Sequence, residues 1–331
     1  MKQTQKTIAP RVRSTIIVVA GIIFIALIGD ISWWKFGPGR NVYAVDVPIE
    51  DDPLDCAGDV RLAVIGDFGD TAQPEADVAE MVNDWQVDFI VTVGDNNYPD
   101  GKASTMDENI GQHYHAYIHP YQGNYREPAP HGGDGRGATE NRFFPALGNH
   151  DWNTGSIEPH HDYFTLPGNE RYYDVVWDPV HLFVLDSNEQ EPDGRTADSV
   201  QAQWLQAQLA ASAAPWKLVS LHHAPYSSGG KHGDDVEMQW PYAQWGATAV
   251  LAGHEHSYER MHRDNVLYFI NGLGGRRRIH PFSDAKPGSA VRYNQDYGAM
   301  LIRAGETCMN FTFYNRANEI IDSYTLARQR G

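Results

Sequence analysis

Cysteine is nearly absent from this chain: there are two, Cys56 and Cys308, in 331 residues. That excludes a miniature fold stapled by several disulfides and a structural zinc knuckle built from thiolates. Positive charge is also scarce. Lys and Arg total 26 against 43 Asp and Glu, for a net charge of −17. A nucleic-acid-binding face needs a basic stripe, so no nucleic-acid partner is expected. An anionic substrate stays open, because bound cations can dominate a local field. Internal repeats and low-complexity tracts are missing, and so are long apolar runs, with one exception near the N-terminus. What remains suffices for a core: 41% of residues are hydrophobic and 21% charged, the balance of a globular protein.

The exception is the uncharged run from Thr15 to Gly29. Lys2, Lys6, Arg11 and Arg13 precede it, and Asp30 is the first acidic residue. A basic flank followed by an apolar run is the pattern of an export signal or of a membrane anchor. Residues 1–34 are therefore expected to be this flank plus a signal or anchor segment. The run is short for a full span, and lengthening it through Ile31 to Trp34 takes in Asp30. Val42-Tyr43-Ala44 resembles a cleavage site but lies far from the apolar core. An uncleaved anchor and a cleaved signal both stay open. Either delivers the remainder to the periplasm or the extracellular space, and the first tethers it to the membrane through residues 15–34. Residues 35–57, with Gly37-Pro38-Gly39 and Glu50-Asp51-Asp52-Pro53, read as a linker. One catalytic domain is expected over 58–331. In an exported protein Cys56 and Cys308 could pair, provided their Cα atoms come within reach.

Five segments of that domain share one design: an apolar stretch running into a polar tip. Leu62-Ala63-Val64-Ile65 ends in Gly66-Asp67-Phe68-Gly69. Phe89 to Val93 ends in Gly94-Asp95-Asn96-Asn97-Tyr98. Phe143 to Leu147 ends in Gly148-Asn149-His150-Asp151. Leu218 to Leu221 ends in His222-His223, and Ala249 to Ala252 in Gly253-His254-Glu255-His256. Buried strands with polar C-terminal ends are the ligand-binding edge of an open α/β sheet.

Between these segments the spacing predicts a helix over Gln73–Trp85, with Pro74 in its first turn. With the strand Val87–Val93 it makes a parallel β–α–β unit. Pro99–Glu140 is a long polar stretch, expected as a loop at the site mouth with a short helix around Asn109–Ile118. Its His113, His115, His119 and His131 lack nearby carboxylates and read as loop and surface residues. Tyr172–Trp177 and His181–Asp186 read as a hairpin, Gln201–Ala211 as a helix, and Lys217–Leu221 and Leu267–Asn271 as strands. Met309–Tyr314 and Ile320–Leu326 read as closing antiparallel strands. Tyr258-Glu259-Arg260 suggests a structural salt bridge, and Arg276-Arg277-Arg278 a solvated basic loop.

Asp, Asn, His and a phenolate are the oxygen and nitrogen donors of hard to borderline metal ions. Singly, Asp67 and Asp95 would read as loop carboxylates capping the helices that follow. Together the five tips offer more donors than one tetrahedral ion takes. Two ions roughly 3.5–4 Å apart and sharing a carboxylate would use them, and that is the clamp for phosphoryl transfer.

In order, the five tips resemble the five blocks of the calcineurin-like metallophosphoesterases. More narrowly they resemble the purple acid phosphatase branch: Gly69 stands where many members have a histidine two residues after the first Asp, and Tyr98 follows the second Asp by three. The resemblance implies an α/β fold: a four-layer α/β/β/α sandwich of two mixed sheets, with a dimetal site at the strand C-terminal ends. It implies Asp67, Tyr98 and His256 on a ferric ion, Asp95 bridging, and Asn149, His222 and His254 on a divalent ion (Fe2+, Zn2+ or Mn2+). His223 could exchange roles with its neighbour His222. His150 would touch the phosphate or the leaving group, and Asp151 could orient its imidazole. Gly230-Lys231-His232-Gly233 resembles the family's second substrate histidine, which makes His232 a candidate acid. The implied activity is hydrolysis of small phosphate monoesters by a metal-activated hydroxide. A phosphodiesterase or nucleotide phosphatase on the same scaffold, or a non-catalytic phosphate- or partner-binding protein, are the alternatives.

Overall fold

The computed structural model of the chain describes residues 60–126 and 137–328. The N-terminal segment 1–34, the linker 35–57, Cys56 and His131 lie outside the described residues. Cys308 is disulfide-bonded.

The apolar run of β1 (Val60–Ile65) is buried on both faces, which is why it lacks the alternation of a half-exposed strand. It leads through α1 (Gln73–Asp84) into β2 (Phe89–Thr92), parallel to it. Helix α1 has no side-chain N-cap; instead Glu75 in its first turn accepts the N–H groups of Asp70 and Thr71 at 2.9 and 2.7 Å. Short helical turns follow, among them α2 (Ala103–Met106) and α3 (Gln112–Tyr114), before β3 (Phe143–Pro145) joins β2 in parallel. After α4 (Glu158–Tyr163) comes the antiparallel pair β4 (Tyr173–Trp177) and β5 (Val180–Val184). Then follow α5 (Val200–Ala211), β6 (Trp216–His223), α6 (Tyr242–Trp245), β7 (Ala249–Gly253), β8 (Tyr258–Arg263) and β9 (Val266–Asn271). The last strands are β10 (Ser289–Tyr293), β11 (Gly298–Ala304), β12 (Cys308–Asn315) and β13 (Ile320–Ala327).

These strands form two mixed sheets, ordered β13-β12-β11-β1-β2-β3 and β10-β8-β9-β7-β6-β5-β4. In the second sheet strand alternation separates two cores. Leu182, Val184, Leu218, Leu251 and Phe269 face the first sheet. Phe183, Val219, Leu221, Val250 and Tyr268 face outward and pack on Ala202, Leu205 and Leu209 of α5. Helix α1 buries Val78, Ala79, Met81 and Val82 against the first sheet. The layers are therefore helix, sheet, sheet, helix, the predicted α/β sandwich.

Polar stitches cross the seam between the sheets. Ser220 Oγ donates to the Thr92 carbonyl at 2.9 Å, and Asn271 Nδ2 to the Val64 carbonyl at 2.6 Å. Each leaves a strand backbone group satisfied in the dry interior. Tyr258 and Arg260 form the expected structural pair: both bind Asp322 of β13, at 2.8 and 2.7 Å.

Two expectations are corrected. His115 is buried, not a surface residue: the turn around it is helical, and its Nδ1 lies 2.8 Å from the Gly111 carbonyl. The basic loop is not wholly solvated. Arg276 lies over the Tyr98 ring at 4.2 Å and donates to Asp70 at 2.8 Å. Strand β8 is not predicted from the sequence, because it carries Glu259, Arg260, His262 and Arg263 and shows no clean period; β10 and β11 are not predicted either.

Candidate metal centre

The parallel strands β1, β2, β3, β6 and β7 end on one rim, and each delivers a polar side chain there. Tight turns follow β1, β2 and β7, and Asp67, Asp95 and His254 occupy left-handed backbone, with φ of 53°, 54° and 70°. Asp and His tolerate that region better than branched residues do. Glycines just before the donors allow close approach. A Cβ on Gly148 would come 2.2 Å from Asp95, and one on Gly94, itself at φ 88°, would come 2.6 Å from the His222 ring.

The donors gather in two groups that share one carboxylate. In the first, Tyr98 OH donates to Asp95 Oδ2 at 2.7 Å and stands 3.4 Å from both Asp67 Oδ1 and His256 Nε2. His256 Nε2 is 3.3 Å from Asp67 Oδ1. In the second, His222 Nε2 is 3.4 Å from Asp95 Oδ1, 3.1 Å from Asn149 Oδ1 and 3.2 Å from His254 Nδ1. All seven predicted donors are thus brought together. Asp95 turns one oxygen to each group. The far ring nitrogens of His222 and His256 lie 2.8 Å from the carbonyls of Val93 and Arg278, the arrangement that fixes the tautomer of a ligating histidine.

The electrostatics are those of a site completed by cations. Burial would raise the Asp67 carboxyl, but the His256 hydrogen bond, His222 and the His254 N–H outweigh it and hold it below its ordinary value. Burial and the charges of Asp95 and Asp67 push the Tyr98 phenol well above its own, with Arg276 opposing. Burial and the surrounding histidines drive His254 far down. A set of two carboxylates, three imidazoles, an amide and a phenol within reach of one another, all buried except the half-buried Asn149 and His254, fits two metal ions. A cation beside Tyr98 would reverse its upward shift.

His150 sits on the open side. Its backbone N–H donates to Asp95 Oδ1 at 2.8 Å and its ring packs on Tyr98 at 4.3 Å. Its Nδ1 lies 2.6 Å from the Pro99 carbonyl, which sets the ring. Asp151 takes other partners: it accepts from Gly148 N at 2.8 Å and from Asn96 Nδ2 at 2.9 Å, and so ties two of the rim turns together. Burial, with the Asp95 charge, raises its carboxyl to about 7. The His232 ring lies 3.8 Å from that of His254. His223 contacts Ser187 Oγ at 2.9 Å, and with His222 and His254 it forms a second grouping able to hold a metal.

Three residues at the site were given no role from sequence, Glu255, His280 and Asp70, and Arg276, read there as part of a solvated loop, pairs with Asp70 beside Tyr98. Glu255, between two donor histidines, carried a positional signal. His280 carried none, since it reaches the site only through a loop after β9.

A family model for calcineurin-like phosphoesterases matches residues 60–258. The chain belongs to that family. Within it the similarity runs to purple acid phosphatases. Purple acid phosphatase 17 of Arabidopsis thaliana is 24% identical over 322 residues, covering 84% of this chain and 87% of the relative. Human tartrate-resistant acid phosphatase type 5 is 25% identical over 253 residues, covering 65% and 73%. The structure of purple acid phosphatase PPD1 from yellow lupin seeds superposes with a TM-score of 0.66 at 16% identity. It covers 83% of this chain, which spans 55% of that longer one.

Proposed function

We propose that the chain is a phosphomonoesterase with a dinuclear metal centre, exported from the cell and acting on small phosphorylated substrates. The observation that carries this reading is the division of the two Asp95 oxygens between two donor groups. On this reading Asp67, Tyr98 and His256 would hold a ferric ion, Asn149, His222 and His254 would hold a divalent one, and Asp95 would serve both. When bound, the two ions neutralise phosphoryl oxygens and acidify a water molecule. The remaining work falls to the protein. His150, fixed by the Pro99 carbonyl, meets the phosphate from the open side. His232 protonates the departing alkoxide, which general acid catalysis rewards with roughly 10²–10⁴-fold in rate. A cavity of about 330 Å³ lined by His223, His232 and His254, together with Arg195, Asp234 and Asp235, supports a small leaving group.

Export rests on the basic flank and apolar run of residues 1–34. Among the described residues no helix is long and apolar enough to cross a membrane. The test is Asp95→Ala assayed on p-nitrophenyl phosphate and on a diester. The proposal expects monoesterase activity in the wild type and a loss of at least about 10³-fold in the variant. Near-normal turnover by the variant, or a preference for the diester, would overturn it.

A further inference from the structure

Glu255 is fully buried and stands between two donor histidines in the chain, and its carboxylate takes its hydrogen bonds from outside the donor set. Its Oε1 gathers three consecutive backbone N–H groups: Lys231 at 3.1 Å, Gly233 at 2.8 Å and, closest, His232. Successive N–H groups curled round one point form a nest for an anion. Here the anion is a side chain of the protein. The chain entering the loop is pressed against it, since a Cβ on Gly229 would lie 2.2 Å from Glu255 Cδ. The other oxygen lies 3.0 Å from His280 Nδ1, and the His280 ring stacks on His256 at 4.1 Å.

We infer that Glu255 is a positioning residue that holds His232 beside the metal centre by clamping the backbone of residues 231–233. The loop needs such a device. It runs through Gly229, Gly230 and Gly233; Gly230 N–H binds the Pro281 carbonyl at 2.8 Å, but the His232 side chain is exposed. Among the aromatic contacts of the described residues its ring meets only the rings of His254 at 3.8 Å and His280 at 5.4 Å, with His280 itself bound to Glu255. A general acid must sit within hydrogen-bond reach of the proton's destination, so a loosened His232 costs rate without costing metal. Because the clamp springs from the residue between His254 and His256, one turn sets both the metal donors and the acid. The inference rests on the reading of His232 as the acid.

The test compares wild type, Glu255→Ala, Glu255→Gln, His232→Ala and the Ala/Ala double variant, all metal-loaded. Two substrates are used: p-nitrophenyl phosphate, whose leaving group needs little protonation, and glycerol 2-phosphate, whose alkoxide needs it. The expected result for Glu255→Ala is unchanged metal content and a kcat loss on glycerol 2-phosphate of about 10²-fold, against less than about 10-fold on the aryl ester. Gln, which keeps an acceptor oxygen, recovers part of the loss. The double variant is no slower than His232→Ala, as for residues that act as a unit. Hydrogen exchange gives a readout independent of turnover: the amides of 231–233 are protected in the wild type and exposed in Glu255→Ala. Equal losses on both substrates with lost metal, additive losses in the double variant, or unchanged amide protection would overturn the clamp. A wild type that hydrolyses neither ester would overturn the phosphatase reading instead, while exchange still decides the clamp.

Discussion

Asp67, Asp95 and His254 share left-handed backbone, and each pays roughly 1–3 kcal/mol of local strain for it. The gain is direction: each strand stops, reverses, and points its donor at the same spot. This makes the neighbouring glycines as consequential as the donors. Gly148→Ala would drive a methyl group into Asp95. The expected outcome is a folded protein with at least about a tenfold loss of metal affinity, the scale of disturbed support around ligands. Metal titration followed by fluorescence or calorimetry checks it, and wild-type affinity would contradict the geometry. At this scale the donors are legible in sequence because each lies in a short block after an apolar run. The roles of Arg276 and Asp151 are not. Arg276 meets Tyr98 across a long sequence separation, and Asp151 binds Asn96 and Gly148 rather than its neighbour's ring.

Single elements are held by polar contacts that the hydrophobic pattern does not encode. Strand β8 is tied to β13 by Arg260 and Asp322, both buried, with Tyr258 donating to the same carboxylate. Removing one partner strands the other charge, so Asp322→Ala should cost about 3–5 kcal/mol. Denaturant unfolding checks this, and the metal content of the folded fraction should not change. Helix α4 presents the opposite case. His160 is buried, neither ring nitrogen has a hydrogen-bond partner, and burial with His161 beside it pushes its pKa down to about 3. The unfolded chain therefore takes up a proton near pH 6.5 that the folded one refuses. Stability is intact above pH 6.5 and falls by about 1.4 kcal/mol per pH unit below it, until the folded value is reached. His160→Leu removes that dependence. From pH 7 to pH 5 its stability should improve relative to wild type by about 2 kcal/mol, measured by denaturant melts at both values. A constant difference would contradict the assignment. Helices α1 and α5 and the parallel strands are legible because their apolar spacing matches their burial. Strand β8 is not, because its charged residues break the period although it pairs with β9 directly after it; β10 meets β8, and β11 meets β1, only across longer stretches of chain.

Across the whole molecule, two sheets meet face to face and the donors stand where their parallel strands end together. The first sheet supplies Asp67, Asp95, Tyr98 and Asn149, and the second supplies His222, His254 and His256. The centre is thus shared across the seam, beside the stitches from Ser220 and Asn271. Ions that bind only this folded arrangement must stabilise it by mass action. The central claim is that Asp95 joins two ions, and the most direct measurement is metal content with the visible spectrum, for wild type, Asp95→Ala and Tyr98→Phe. The account predicts about two metals per wild-type chain, iron among them, with a tyrosinate-to-iron band. That band should vanish in Tyr98→Phe, and Asp95→Ala should retain less than one metal. A wild type that binds no stoichiometric metal after reconstitution, or an Asp95→Ala variant that keeps both ions, would contradict it.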